Sequence, residues 1–289
     1  MNGYAELLLV DWLAQLEPHW RLLLFAAVGV IAGFGLDVVV RRVPVAVEQA
    51  WLEEMQTDDA GHAGHAGGAD SASRLHSTSY QATLPSAAIT RAGSLVSPHI
   101  PSLDTAPSRR WQLSLLSGVL SVAIGWRFGP TWQSLGALGL VWTLIALAYI
   151  DYDTQLLPDI LTLPLLWAGL LCNLGHWFAA LPAAVIGAAA GYMSLWALYW
   201  VYWWLRRREG MGFGDFKLYA ALGAWFGWTA LVQILTLACL LAIVVAGTAW
   251  IAGRLRSDQM FPFGAFLAAA GIATLFGGNG LMIWIGGTP

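Results

Sequence analysis

LVQILTLACLLAIVVAGTAWIAG, residues 231–253, runs without a single Asp, Glu, Lys or Arg. About 20 such residues in a helix cross the ~30 Å hydrocarbon core of a bilayer. A helix also satisfies its own N–H and C=O groups, which lipid cannot do for it. The stretch therefore reads as a transmembrane helix. Outward from it, seven further predominantly apolar tracts appear at 20–40, 111–128, 131–150, 157–176, 178–205, 216–229 and 261–285. The tract at 216–229 is short and interrupted by glycine. Only 11% of the chain is charged and 58% is hydrophobic, whereas a soluble domain is about a quarter charged. The fold class expected is all-α: a polytopic membrane protein built as a bundle of about eight transmembrane helices. The net charge of −3 gives no basic surface for nucleic acid.

Orientation follows from the cations. With the N-terminus placed outside, Arg41, Arg42, Arg74, Arg91, Arg109, Arg110, Arg206, Arg207, Arg208, Lys217, Arg254 and Arg256 all fall on the cytoplasmic side, leaving only Arg21 and Arg127 opposite. Twelve of the 14 cations on one side is a strong positive-inside bias. Several tryptophans, among them Trp111, Trp132, Trp177, Trp203, Trp204 and Trp250, stand near predicted helix ends, as an interfacial belt requires. No cleavable signal peptide is expected: the first cation is Arg21, and residues 1–18 carry Glu6, Asp11 and Glu17.

Three regions follow: residues 1–40 as an N-terminal segment with the first helix, 41–110 as a cytoplasmic loop, and 111–289 as a seven-helix core. From about residue 58 to 109 the loop is rich in Ala, Gly, Ser, Thr, Pro and His, with few large apolar groups, and is expected to be largely disordered. His62 and His65 stand in it without Cys or carboxylate at ligand spacing, so a solvated linker is expected rather than a metal site. Cys172 and Cys239 sit inside apolar tracts and read as small buried thiols.

Carboxylates at membrane depth are costly and need a reason. Asp37, Asp151, Asp153, Asp159 and Asp215 sit at or near predicted spans. Asp151, Asp153 and Asp159 share the link between the third and fourth helices, and Asp215 opens the sixth. The topology puts both stretches on one membrane face, so a separation of 215 − 151 = 64 residues does not keep them apart. Taken singly, each is satisfied by a structural role. Asp153, Asp159 and Asp215 are suited to capping helix N-termini, Lys217 to anchoring at the interface, and Asp37 to pairing with Arg41 at i,i+4. The glycines shift the balance. Gly210, Gly212 and Gly214 precede Asp215 at alternate positions, open the backbone to unusual conformations and clear space beside the carboxylate.

IDYDTQLLPDILTLPLLWAGLLCN (150–173) resembles the first signature of bacterial prepilin peptidases, the type 4 leader peptidases. GMGFGDFKLYAALGAWFGW (210–228) resembles the second, the Gly-x-Gly-Asp motif shared more loosely with presenilin-like intramembrane aspartyl proteases. PFGAFLAAAG (262–271) resembles their C-terminal helix. The resemblance runs from about residue 111 to 271. It implies an inner-membrane aspartic endopeptidase that removes the leader from type IV prepilins or type II secretion pseudopilins, with Asp151 and Asp215 as the catalytic pair. The residues alone do not choose Asp151 over Asp153; the resemblance does. Gly212, Gly214, Asp153, Asp159 and Lys217 remain as supporting motif residues. Two carboxyl groups close together share a proton and hydrolyse a peptide bond without a metal or other cofactor.

The chain departs from the family in two places. Many members carry two CxxC pairs in the first loop, taken to bind zinc; this loop has no cysteine, so a tetrathiolate zinc site is excluded. N-methylation of the new N-terminus by S-adenosylmethionine stays open. Asp37 also stands where the family usually has Asn, in Gly33-Phe-Gly-Leu-Asp37. A transporter or a scaffold subunit of a secretion machine is the rival reading. A transporter relay would need acidic groups near the bilayer midplane or inverted repeats, and neither is visible.

Overall fold

A computed structural model of the chain describes residues 13, 15–65, 107–207, 212–253 and 262–278. Among them no strand occurs. Eight helices follow in order: α1 (Pro18–His65), α2 (Pro107–Phe128), α3 (Trp132–Thr154), α4 (Asp159–Leu174), α5 (Leu181–Arg206), α6 (Phe213–Phe226), α7 (Trp228–Ile251) and α8 (Phe263–Gly277). The all-α expectation holds, and the helices fall on the predicted tracts.

The first helix does not. It continues past Val40 and through Pro44 to His65, where a polar loop was expected to begin. Residues 45–56, VAVEQAWLEEMQ, are mostly good helix formers, and their propensity carries the helix onward. By contact the chain divides into residues 1–44 with 107–289, and residues 45–106. The described part of the second unit is the C-terminal length of α1. The stretch expected to be disordered lies otherwise outside the described residues, as do the side chains of His62 and His65.

Residues Pro18–Val47 of α1 and the helices α3, α5 and α7 are long and apolar enough to cross a membrane, and α4 and α8 are shorter apolar helices. Their outer faces are apolar too. Ile31, Leu115, Ile186, Ile243 and Val244 are each more than half exposed, a surface that lipid covers and water does not. Cys239 lies on such a face of α7 and not in the core as expected, while Cys172 is half-buried.

The short helix α6 is the axis of the bundle. Every residue from Leu218 to Trp225 is buried, and α4, α5, α7 and α8 all pack against it. A helix apolar all round belongs in the interior, and one enclosed by protein need not match the bilayer in length. The closest approach is to α5. A Cβ on Gly223 would stand 2.2 Å from the Gly187 carbonyl oxygen, and one on Gly187 would stand 2.4 Å from that of Gly223. Small residues let membrane helices meet backbone to backbone in this way.

The far end of α6 is held by one side chain. Asn173, fully buried in the last turn of α4, donates to the carbonyls of Ala224 (2.8 Å) and Trp225 (3.0 Å). Its Oδ1 accepts the N–H groups of Phe178 (3.1 Å) and Ala179 (3.0 Å), just before α5. Trp225 in turn donates from Nε1 to the Leu165 carbonyl at 2.8 Å.

Candidate active site

Asp151 stands in the last turn of α3. Gln155, in the left-handed region at φ 56°, ends that helix and donates its N–H to the Asp151 carbonyl. The side chain is only 4% exposed. Its Oδ2 accepts the backbone N–H of Ala265, in the first turn of α8, at 2.8 Å. Gly264 lies directly beneath: a Cβ there would come 3.0 Å from Oδ2 of Asp151 and 2.7 Å from Cδ1 of Leu157. Asp153 is exposed. Two helical residues are about 200° apart, so burying one of this pair turns the other outward. The helix therefore buries Asp151 and exposes Asp153.

Asp215 stands in the first turn of α6, after Gly212 at the N-cap, and is 6% exposed. Its side chain does not cap the helix. Leu157, in the α3–α4 connection, joins the two regions. A Cβ on Gly214 would lie 2.6 Å from that of Leu157, so the leucine fills the space above both Gly214 and Gly264. Burial, and after it the charge of Asp151, push the Asp215 carboxyl up to about 7. They sit at one end of the bundle, where the C-terminus of α3 meets the N-termini of α6 and α8.

The described glycines before Asp215 leave space, as expected, but do not adopt unusual backbone conformations. Gly212 has an ordinary φ of −75° and nothing near it; Gly214 is needed for contact with Leu157, not for unusual backbone geometry; Gly210 lies outside the described residues. Asp159 was expected to cap α4; it stands in the first turn of that helix, one residue past the N-cap Pro158. Both its oxygens accept from Lys217 Nζ at 2.6 Å. That pair ties the start of α4 to α6, two residues beyond Asp215. Lys217 therefore has a partner beyond interfacial anchoring. Asp37 pairs with Arg41 as expected, at 2.9 Å, and additionally with Arg110 at 3.1 Å, linking α1 to α2.

Beside Asp151 an apolar cavity of about 290 Å³ is lined by residues of α2, α3 and α8, including Leu120, Ala148, Tyr149, Ala265 and Ile272. Ala265 thus belongs both to the cavity wall and to the hydrogen bond on Asp151. Reading the residues singly did not find Leu157, Gly264 or Ala265. The only signal for the last two was the PFGAF stretch, whose part in the site is invisible without the fold. Among the described residues no group of three or more His, Cys, Asp or Glu is arranged to hold a metal.

Comparison with known proteins bears on the same residues. The model of the type IV leader peptidase family matches residues 138–247, a span that contains Asp151 and Asp215. Several relatives, each called prepilin leader peptidase/N-methyltransferase, match nearly end to end. One from Burkholderia pseudomallei (strain 1026b) is 41% identical over 95% of this chain and 91% of its own. One from Pseudomonas aeruginosa is 39% identical over 93% and 94%, and one from Neisseria gonorrhoeae 40% over 86% and 87%. No solved structure matches the chain significantly.

Proposed function

The chain belongs to the type IV leader peptidase family, and from that membership we propose that Asp151 and Asp215 are the catalytic pair that cuts the leader from prepilins or pseudopilins. One observation carries the reading: two buried aspartates, distant in the chain, share one end of a membrane bundle within each other's field. Burial and mutual repulsion make double ionisation expensive, so the pair holds one proton and titrates as a unit.

The chemistry follows from that shared proton. The ionised carboxylate takes a proton from water as the water oxygen bonds to the scissile carbonyl carbon. The protonated partner gives its proton to the carbonyl oxygen, and a tetrahedral diol results. As the C–N bond breaks, the leaving amine takes a proton from the first carboxyl, and the diol returns one to the second. Nothing is left covalently on the enzyme, and no metal is consumed or required by any step.

The site opens at the face that the cation bias assigns to the cytoplasm, in the bacterial inner membrane with the N-terminus periplasmic. A substrate with a polar leader followed by an apolar helix presents its junction at that depth. The names of the relatives also include N-methyltransferase. The cavity beside Asp151 is lined by apolar side chains and offers few polar groups to an adenosyl ligand.

The test is cleavage of a purified prepilin in detergent by wild type, Asp151→Asn and Asp215→Asn. Each variant is expected to lose about 10²–10⁴-fold in rate or more, the range for losing a positioned acid or base. Full processing by either variant refutes the assignment and favours a scaffold role. Mass spectrometry of the product N-terminus reads methylation in the same samples.

A further inference from the structure

The first turn of α8 makes the two carboxyl groups unequal. Pro262 at its N-cap provides no capping side chain, so the opening N–H groups of the helix need a partner from elsewhere. Asp151 supplies it from α3, 114 positions away in the chain, by accepting the Ala265 N–H at 2.8 Å. Asp215 also stands at a helix N-terminus, in the first turn of α6, but its carboxyl accepts no hydrogen bond there among the described residues.

The contact depends on a missing side chain. A Cβ on Gly264 would press to 3.0 Å from Oδ2 and 3.1 Å from Cγ of Asp151, tighter than ordinary van der Waals contact. The carboxylate would have to give way by a few tenths of an ångström, stretching its hydrogen bond to the helix end. Gly277, on the same helix, faces open space, so a methyl group there meets nothing and serves as a control.

We propose that Gly264 is a positioning residue, which lets the N-terminus of α8 hold Asp151 as the ionised member of the pair and leaves the shared proton on Asp215. Helix N-termini and backbone donors favour a negative charge lodged against them. Asp151 is then the base that deprotonates water, and Asp215 the acid that protonates the carbonyl oxygen. When the C–N bond breaks, the amine takes the proton that Asp151 gained and Asp215 recovers one from the diol, so the cycle closes without net proton change. This assignment rests on the reading of Asp151 and Asp215 as the catalytic pair.

The test compares full-length wild type, Gly264→Ala and Gly277→Ala in one detergent, with thermal melting, kcat, KM and the pH profile of kcat/KM measured for each. Gly264→Ala is expected to lower kcat at least tenfold with KM little changed. The acidic limb of its profile should move up by about one pH unit, because the hydrogen bond that favours the charged form of the base is stretched. Gly277→Ala should behave as wild type. Because Leu157 would also collide with the new methyl group, Gly264→Ala/Leu157→Ala is measured against Leu157→Ala alone. That removes the steric overlap with leucine and leaves the one with Asp151, which keeps the question answerable if the single variant fails to fold.

Wild-type kcat in the Gly264 variants overturns the proposal. So does a loss of kcat with an unmoved acidic limb, which marks a merely structural glycine. A shift confined to the alkaline limb overturns the assignment of Asp151 as base. In all three cases inactive Asp151→Asn and Asp215→Asn leave the peptidase reading standing, whereas activity in those two variants removes its foundation.

Discussion

Asn173→Ala should destabilise the bundle by about 3 kcal/mol while leaving the chemistry nearly untouched. The side chain is fully buried and uses all of its capacity: two N–H donors to the carbonyls of Ala224 and Trp225, and one oxygen accepting from Phe178 and Ala179. Truncation strands four backbone groups. At about 1–3 kcal/mol for each buried group left unpaired, the upper bound is roughly 4–12 kcal/mol. Hydrogen bonds between helices of membrane proteins average nearer 0.6 kcal/mol, because partners are also found in the unfolded state, which gives about 2.4 kcal/mol for four. Phe178 and Ala179 are only half-buried, so water can recover part of the loss, and the expected value lies toward the lower bound. Asn173→Asp should be worse than alanine: it keeps the acceptor but loses both donors and turns a charge toward two carbonyls. The assay is reversible unfolding in mixed micelles, followed by tryptophan fluorescence, with cleavage measured well below the melting range. Asn173 meets α6 near Ala224 and Asp215 opens the same helix, so activity per folded molecule should stay near wild type. A loss below about 0.5 kcal/mol for alanine would refute the reasoning, because no buried four-bond junction should be dispensable.

Gly223→Ala is expected to lower the folded yield sharply, since its methyl group would lie 2.2 Å from a backbone oxygen that has no rotamer to change; overpacking of this kind costs about 1–3 kcal/mol or more, and size-exclusion of the solubilised protein reads it. Lys217→Met should change melting by less than about 1 kcal/mol, because Asp159 is half exposed, yet lower cleavage several-fold by loosening the turn that carries Asp215. Partial recovery in Asp159→Lys/Lys217→Asp is the check, and no recovery means that the pair does not position that turn.

Most of the bundle was legible because lipid imposes one requirement, about 20 apolar residues per crossing, and residues 231–253 meet it without ambiguity. The end of α1 was not, because the polar composition after Val40 resembles a loop while its propensity is helical. The central place of α6 was also hidden: a short, glycine-interrupted tract looks like a weak span, although glycine and alanine are what a helix enclosed by four others needs. At the site, spacing named five aspartates but could not rank Asp151 against Asp153, since burial depends on which face of α3 meets α8. Capping was a sound expectation for Asp159, but Lys217 from another helix competes for its carboxylate, and such a long-range partner leaves no trace in local sequence.

The meeting of Gly187 and Gly223 bears on how the enzyme can move. With no side chain between the two main chains, α5 and α6 have no soft layer to shear through. They travel as a single lever or not at all. Any opening that admits a substrate must therefore come from the other elements around Asp215, and a spin label on α5 should report the same displacement as one on α6.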